Sequence, residues 1–260
     1  MNLAALRAEI RASLEASADP EYRAKISRLV PTGAPLLGVT VPRIRELAKL
    51  FRPKTKMLDA GGVLSLVEGQ FDGRCREEML FGTFVLVDHK RTLKDVLLPA
   101  IDRFIELIDN WEVCDQLAMN VAAPMVAADP KLSRELVRWA SSANPWRRRF
   151  AVATAAALNQ KGRSLVRETL DVCACLLQDG DPSVQKAVGW ALREACKCDE
   201  EAVYNLLLER REQVAPRILR EGATKLSESR RSSLLGGATA QTSVKRGPAV
   251  PKLARRPGAG

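Results

Sequence analysis

Helix-starting signals recur along this chain, and between them apolar residues fall at helical rather than alternating spacing. Four Asx-Pro steps, Asp19-Pro20, Asp129-Pro130, Asn144-Pro145 and Asp181-Pro182, each precede such a run. The Asx side chain accepts from the free N–H groups of a first turn, and proline fits the first helical position, where its missing donor costs nothing. The run after Asp181 is the cleanest. At 100° per residue Val184, Ala187, Val188, Ala191, Leu192 and Ala195 gather into one apolar stripe. Trp190 lies about 140° from the stripe's centre on the same count, among Lys186, Arg193 and Lys197. An aromatic ring on a helix's basic, outward face is poorly placed for core packing. It suits stacking against something flat and negatively charged.

The same periodicity predicts helices over 2–17, 20–29, 42–51, 63–68, 73–87, 92–108, 111–127, 130–140, 145–158, 164–177, 182–196, 200–211 and 215–226, with no strand. The Asn144-Pro145 and Asp181-Pro182 steps are 37 residues apart, about one helix pair of a HEAT-type repeat. The expected fold is therefore all-α: stacked antiparallel helix pairs over residues 1–226, forming a curved α-solenoid. A compact helical bundle is the alternative. Residues 227–260 are rich in Ser, Gly, Pro, Lys and Arg and are expected to form a basic, disordered tail.

Charge points to a polyanion only weakly. The net charge is +10, but the segment from Ser227 onward carries seven Lys/Arg and one Glu, leaving +4 on residues 1–226. Nucleic-acid binding has to be judged by where the charges sit. The six cysteines include two Cys-x-Cys pairs, Cys173/Cys175 and Cys196/Cys198. Residues two apart on a helix point to different sides, and with one histidine and no Cys-x-x-Cys a metal site is not expected. Charged residues interrupt the first apolar run and no stretch is long enough to span a bilayer, so a soluble, cytoplasmic protein is expected.

The four tryptophans divide by helical face. Trp139 falls with Leu132 and Leu136, and Trp146 with Phe150, Ala153 and Ala157, so both read as core. Trp111 lies at the edge of the stripe Val113, Cys114, Leu117, Val121, Met125, and Asp115 lies outside it. Four residues apart, Trp111 and Asp115 share a face, continued by Ala118 and Ala122, whose small side chains would leave room beside the carboxylate. Asn144-Pro-Trp-Arg-Arg-Arg149 puts three arginines in a first helical turn, where cations oppose the helix dipole unless an anion binds there. Surface arginines paired with nearby acids are the plainer reading.

Three segments together, Asn110-Trp-Glu-Val-Cys-Asp115, Asn144-Pro-Trp-Arg-Arg-Arg149 and Gln185-Lys-Ala-Val-Gly-Trp-Ala-Leu-Arg-Glu194, resemble the DNA alkylation repair family, the AlkD-type glycosylases built of HEAT-like repeats. Leu37–Arg45 and Ala215–Glu221 add to the resemblance, which spans roughly residues 3–226. It implies a metal- and cofactor-free monomer that removes cationic N3- and N7-alkylpurines from double-stranded DNA held on a concave face. Carried over by motif, Asp115 becomes the catalytic carboxylate, Trp111 and Trp190 the two walls of the site, and Arg149 a phosphate contact. Arg45, Arg147, Arg148, Lys186 and Arg193 would line the DNA track. Glu112 and Cys114 depart from the family pattern and are expected to tolerate change. The resemblance also takes in members without activity, so a non-catalytic DNA-binding or scaffold protein is the second class; the four residues Trp111, Asp115, Arg149 and Trp190 separate the two.

Overall fold

The computed structural model describes residues 2–236, which form helices and turns with no strand among them. The first six helices are α1 (Leu3–Glu15), α2 (Pro20–Leu29), α3 (Val41–Thr55), α4 (Ala60–Asp72), α5 (Arg76–His89) and α6 (Leu97–Ile105). Then come α7 (Trp111–Leu117), α8 (Ala123–Ala128), α9 (Ser133–Ala140), α10 (Pro145–Ala157), α11 (Val166–Ala174) and α12 (Pro182–Cys196). The last are α13 (Glu200–Glu209), α14 (Pro216–Gly222) and α15 (Glu228–Gly236).

The Asx-Pro steps act as read. Asp19 accepts from Glu21 and Tyr22 N–H at 2.9 and 3.1 Å, and Asn144 from Trp146 N–H at 2.9 Å. Asp181 accepts from Ser183 and Val184 N–H at 2.8 and 3.1 Å. Asp129 caps only a short 3₁₀ turn, Pro130–Leu132, ahead of α9. All six residues of the stripe predicted in α12 are buried.

Two expectations change. The helix foreseen over 111–127 is interrupted by a π-helical turn, Ala118–Ala122. Pro124 supplies the cause: it has no N–H to donate to the carbonyl four residues back, and its ring crowds that carbonyl, so the helix widens. Ala118 and Ala122 turn into the core, 0% and 3% exposed, rather than continuing the face of Trp111 and Asp115. Secondly, α15 lies within the stretch expected to be disordered, with Leu234 fully buried in the main core. Lys245, Arg246, Arg255 and Arg256 lie outside the described residues.

Helices pack on their chain neighbours, as α4 on α5, α9 on α10 and α11 on α12, and on helices further along. Successive contacts of the second kind link α3, α5, α7, α10, α12 and α14 in a row. One continuous core runs from Leu6 to Leu234, and Ile26, Val30 and Leu36 form a small separate cluster under α2. No helix among the described residues is long and apolar enough to cross a membrane.

Candidate functional site

Helices α7, α10 and α12 lie side by side in that row and surround a solvent-open cavity of about 480 Å³. Trp111 and Asp115 enter it from α7, Trp146 and Arg149 from α10, and Ser183, Lys186, Ala187, Trp190 and Arg193 from α12. Pro31 closes one side. A second cleft of similar volume, between α2 and the 30–36 segment, has Arg23 as its one charged lining residue and no aromatic ring.

Asp115 is held from one direction. Arg149 Nε donates to its Oδ1 at 3.0 Å and Nη2 to its Oδ2 at 2.7 Å, a two-point grip that an ionised carboxylate accepts. Arg149 Nη1 donates to the Ser183 carbonyl at 2.6 Å, fixing α10 to the start of α12. Burial pushes the Asp115 carboxyl above its ordinary range, against the pull of Arg149 and Lys186. Its neighbour Cys114 is buried, and burial drives that thiol well up, so it remains neutral.

Both outer tryptophans line the cavity. Trp111 is 37% exposed, and its indole N–H donates to the Leu29 carbonyl at 2.9 Å, leaving the ring beside Pro31. Trp190 is half-buried against the core. Directly before it, Gly189 lets α14 come close: a Cβ there would lie 2.6 Å from Glu221 Cβ. Glu221 in turn accepts from Arg193 at 3.3 Å and Arg217 at 2.9 Å.

The expected site residues thus separate. Trp111, Asp115, Arg149, Lys186, Trp190 and Arg193 meet at the cavity; Arg45, Arg147 and Arg148 do not. Arg45 lies over the Phe84 ring, 4.8 Å from its centroid, in a cleft between α3 and α5. Arg147 binds Asp102 at 2.6 Å and also pairs with Glu106. Arg148 binds Asp179 at 2.6 Å and the carbonyls of Ser142 and Ala143. The three first-turn arginines of α10 are therefore answered by acids of this chain, and Arg149 grips a carboxylate where a phosphate was expected. Asp102 shows the strength of one such cluster. Burial pushes it up, but hydrogen bonds from Arg147, Trp139 and Arg138 prevail and bring its pKa down to about 2.

Trp139 is core, 1% exposed and edge-on to Phe150 at 5.4 Å. Trp146 is not: it is half-buried and lines the cavity, a site residue that its helical phase concealed. Glu112 is more constrained than expected, being ion-paired with buried Arg76. Cys173 and Cys196 are buried while Cys175 and Cys198 are exposed, so each pair does point apart. Among the described residues, no group of three His, Cys, Asp or Glu side chains is placed to hold a metal ion. What the cavity brings together is one carboxylate held by Arg149, the indoles of Trp111, Trp146 and Trp190, and the cations Lys186 and Arg193.

Comparison with known proteins gives the family and the fold. The model of the family described as DNA alkylation repair enzyme matches residues 10–226. A solved structure entitled "Predicted DNA alkylation repair enzyme from Enterococcus faecalis" superposes with a TM-score of 0.70 at 20% identity. The match covers 82% of this chain and 98% of that one, a likeness of fold. No curated protein sequence matches the chain. With five-sixths of its length inside the family model, and α7, α10 and α12 carrying the motifs, the chain belongs to the DNA alkylation repair enzyme family.

Proposed function

We propose that this protein is a monofunctional DNA glycosylase, active as a monomer and without metal or organic cofactor, that hydrolyses the N-glycosidic bond of cationic N3- and N7-alkylated purines in duplex DNA. The observation that carries the reading is the meeting of Asp115 with Trp111 and Trp190 in one open cavity, from helices separated by about eighty positions of sequence. An alkylated purine already bears positive charge, so it departs with the bonding electron pair as a neutral base and needs no strong acid. The sugar left behind becomes oxocarbenium-like. Asp115 stabilises that cation and orients the water whose oxygen bonds to C1′, and the water's proton passes to solvent through the carboxylate. Trp111 and Trp190 clasp the cationic nucleotide with their ring faces. Arg149 keeps Asp115 ionised and aimed. Lys186 and Arg193 take the flanking phosphates, and the row of helices α3, α5, α7, α10, α12 and α14 forms the concave wall of a HEAT-like arch along which the duplex lies.

The test is direct. Duplex DNA methylated with dimethyl sulfate is incubated with the protein, and released bases are identified by chromatography. The wild type releases 3-methyladenine or 7-methylguanine; Asp115→Asn binds the same DNA but releases base slower by on the order of 100-fold or more. Release by that variant at the wild-type rate sinks the assignment. One observation favours a second reading, DNA binding without catalysis: Arg149 occupies both oxygens of Asp115. Under that reading the wild type releases no base at all.

A further inference from the structure

Behind the cavity lies a charged cluster that the proposed chemistry does not use. Arg76, the first residue of α5, has a fully buried side chain. Its Nε and Nη2 approach Glu112 Oε2 at 2.6 and 2.5 Å, and its Nη1 donates to the Val39 carbonyl at 3.0 Å and to Glu77 Oε1 at 2.8 Å. Glu77, also fully buried, accepts from the backbone N–H groups of Leu37, Gly38 and Val39 at 3.0, 3.0 and 3.3 Å. Gly38 makes that turn feasible: its φ is +91°, and a Cβ would lie 2.5 Å from Arg23 Cβ. Burying an arginine with two carboxylates is no evident gain over apolar side chains of the same volume. Its location supplies a different reason. Glu112 follows Trp111 in the first turn of α7 and stands three residues, one helical turn, before Asp115.

We propose that Arg76 is a positioning residue of the site, acting through Glu112: it ties the turn that carries Trp111 to the 37–39 segment and neutralises the anion one turn from Asp115. The proposal rests on Asp115 being the working carboxylate. Asp115 is faced by Arg149 from α10, Lys186 from α12 and Glu112 from its own helix. Glu112 is faced by Arg76 and Glu77 from α5 and by Tyr22 from α2. While Arg76 holds Glu112, the carboxylate at 115 is opposed by a compensated pair. Without Arg76 it is opposed by a bare anion in a poorly solvated place, and like charges at that range make ionisation harder.

The experiment reads Asp115 itself. Full-length protein carrying ¹³C-carboxyl aspartate is titrated by NMR, with the Asp115 resonance assigned by its absence in Asp115→Asn. Arg76→Met is expected to move the Asp115 midpoint up by about one pH unit, and Glu112→Gln introduced into that variant to return it to the wild-type position. An unmoved midpoint in Arg76→Met, or no return in the double variant, overturns the proposal. Should Arg76→Met fail to fold by circular dichroism, Glu112→Gln alone decides. It keeps an acceptor for Arg76 and is expected to lower the midpoint, and a midpoint at or above wild type is the contrary result. None of these readouts needs turnover, so a wild type that releases no base rejects the glycosylase reading and leaves the effect of Arg76 measurable.

Discussion

At the scale of single residues, the site turns on a conflict inside the Asp115–Arg149 pair. Burial disfavours the charge on Asp115 that the proposed chemistry requires, and Arg149 supplies the compensation. Base release needs the ionised form, so activity is present above the Asp115 pKa and lost as pH falls through it. Because that pKa is raised, the acid limb lies above the ordinary carboxylate value of about 4. Arg149→Met leaves a buried carboxylate with only Lys186 opposite, and the limb is expected to climb further, so that release at neutral pH collapses while release at higher pH partly returns. A limb that stays in place under single-turnover conditions counts against the pair as the device that keeps Asp115 ionised. The variant should also unfold more easily, since removing one partner of a buried pair costs about 3–5 kcal/mol. Which residues share this site was partly readable from helical phase, because Trp111, Asp115 and Trp190 stand off their apolar stripes. The fates of Arg147 and Arg148 were not, because their acids sit 31 to 45 residues away in the chain.

At the scale of helices, local chemistry was legible and close approach was not. Caps and prolines gave α2 and α12 their starts outright, since those signals act within one turn. The π turn in 118–122 depends on how Pro124 is accommodated, and α15 depends on α13 beneath it; neither is visible in a period of apolar residues. Gly189 is a further case, a glycine in mid-helix whose ordinary cost relative to alanine is about 1 kcal/mol. The structure supplies the reason: α14 presses on it through Glu221, with Oε2 3.0 Å from where a Cβ would stand. Gly189→Ala therefore gains helix propensity and loses more through overpacking, for which about 1–3 kcal/mol is typical. It is expected to lower the thermal midpoint and to weaken DNA binding, because displacing Glu221 releases Arg193 and Arg217 from their common anchor. A variant as stable as wild type, or more so, would show that α14 can yield at no cost.

At the scale of the whole molecule, the question is where the folded body ends. Composition draws the line after residue 226, because the next thirty residues hold few apolar side chains. One of them suffices for a helix: Leu234 is fully buried, Ser227 N–H donates to Glu200 at 2.8 Å, and the Arg230 guanidinium lies over the Tyr204 ring at 5.3 Å. α15 thus packs on α13 and on the turn at 223–225. Two truncations test α15 and the basic segment after residue 236 in turn. Ending the chain at Gly236 removes five Lys and Arg and no acid, so the thermal midpoint should hold while the salt dependence of DNA affinity becomes shallower, by about 0.9 in log–log slope for each phosphate the chain no longer neutralises. Ending it at Leu226 also strips α15 from the core and from Tyr204 of α13, and the thermal midpoint should fall by several degrees, about 4 °C or less for each kcal/mol in a chain of this size. Equal midpoints for the two truncations would return the boundary to residue 226; an unchanged salt slope in the longer one would mean that the basic residues after 236 take no part in holding DNA.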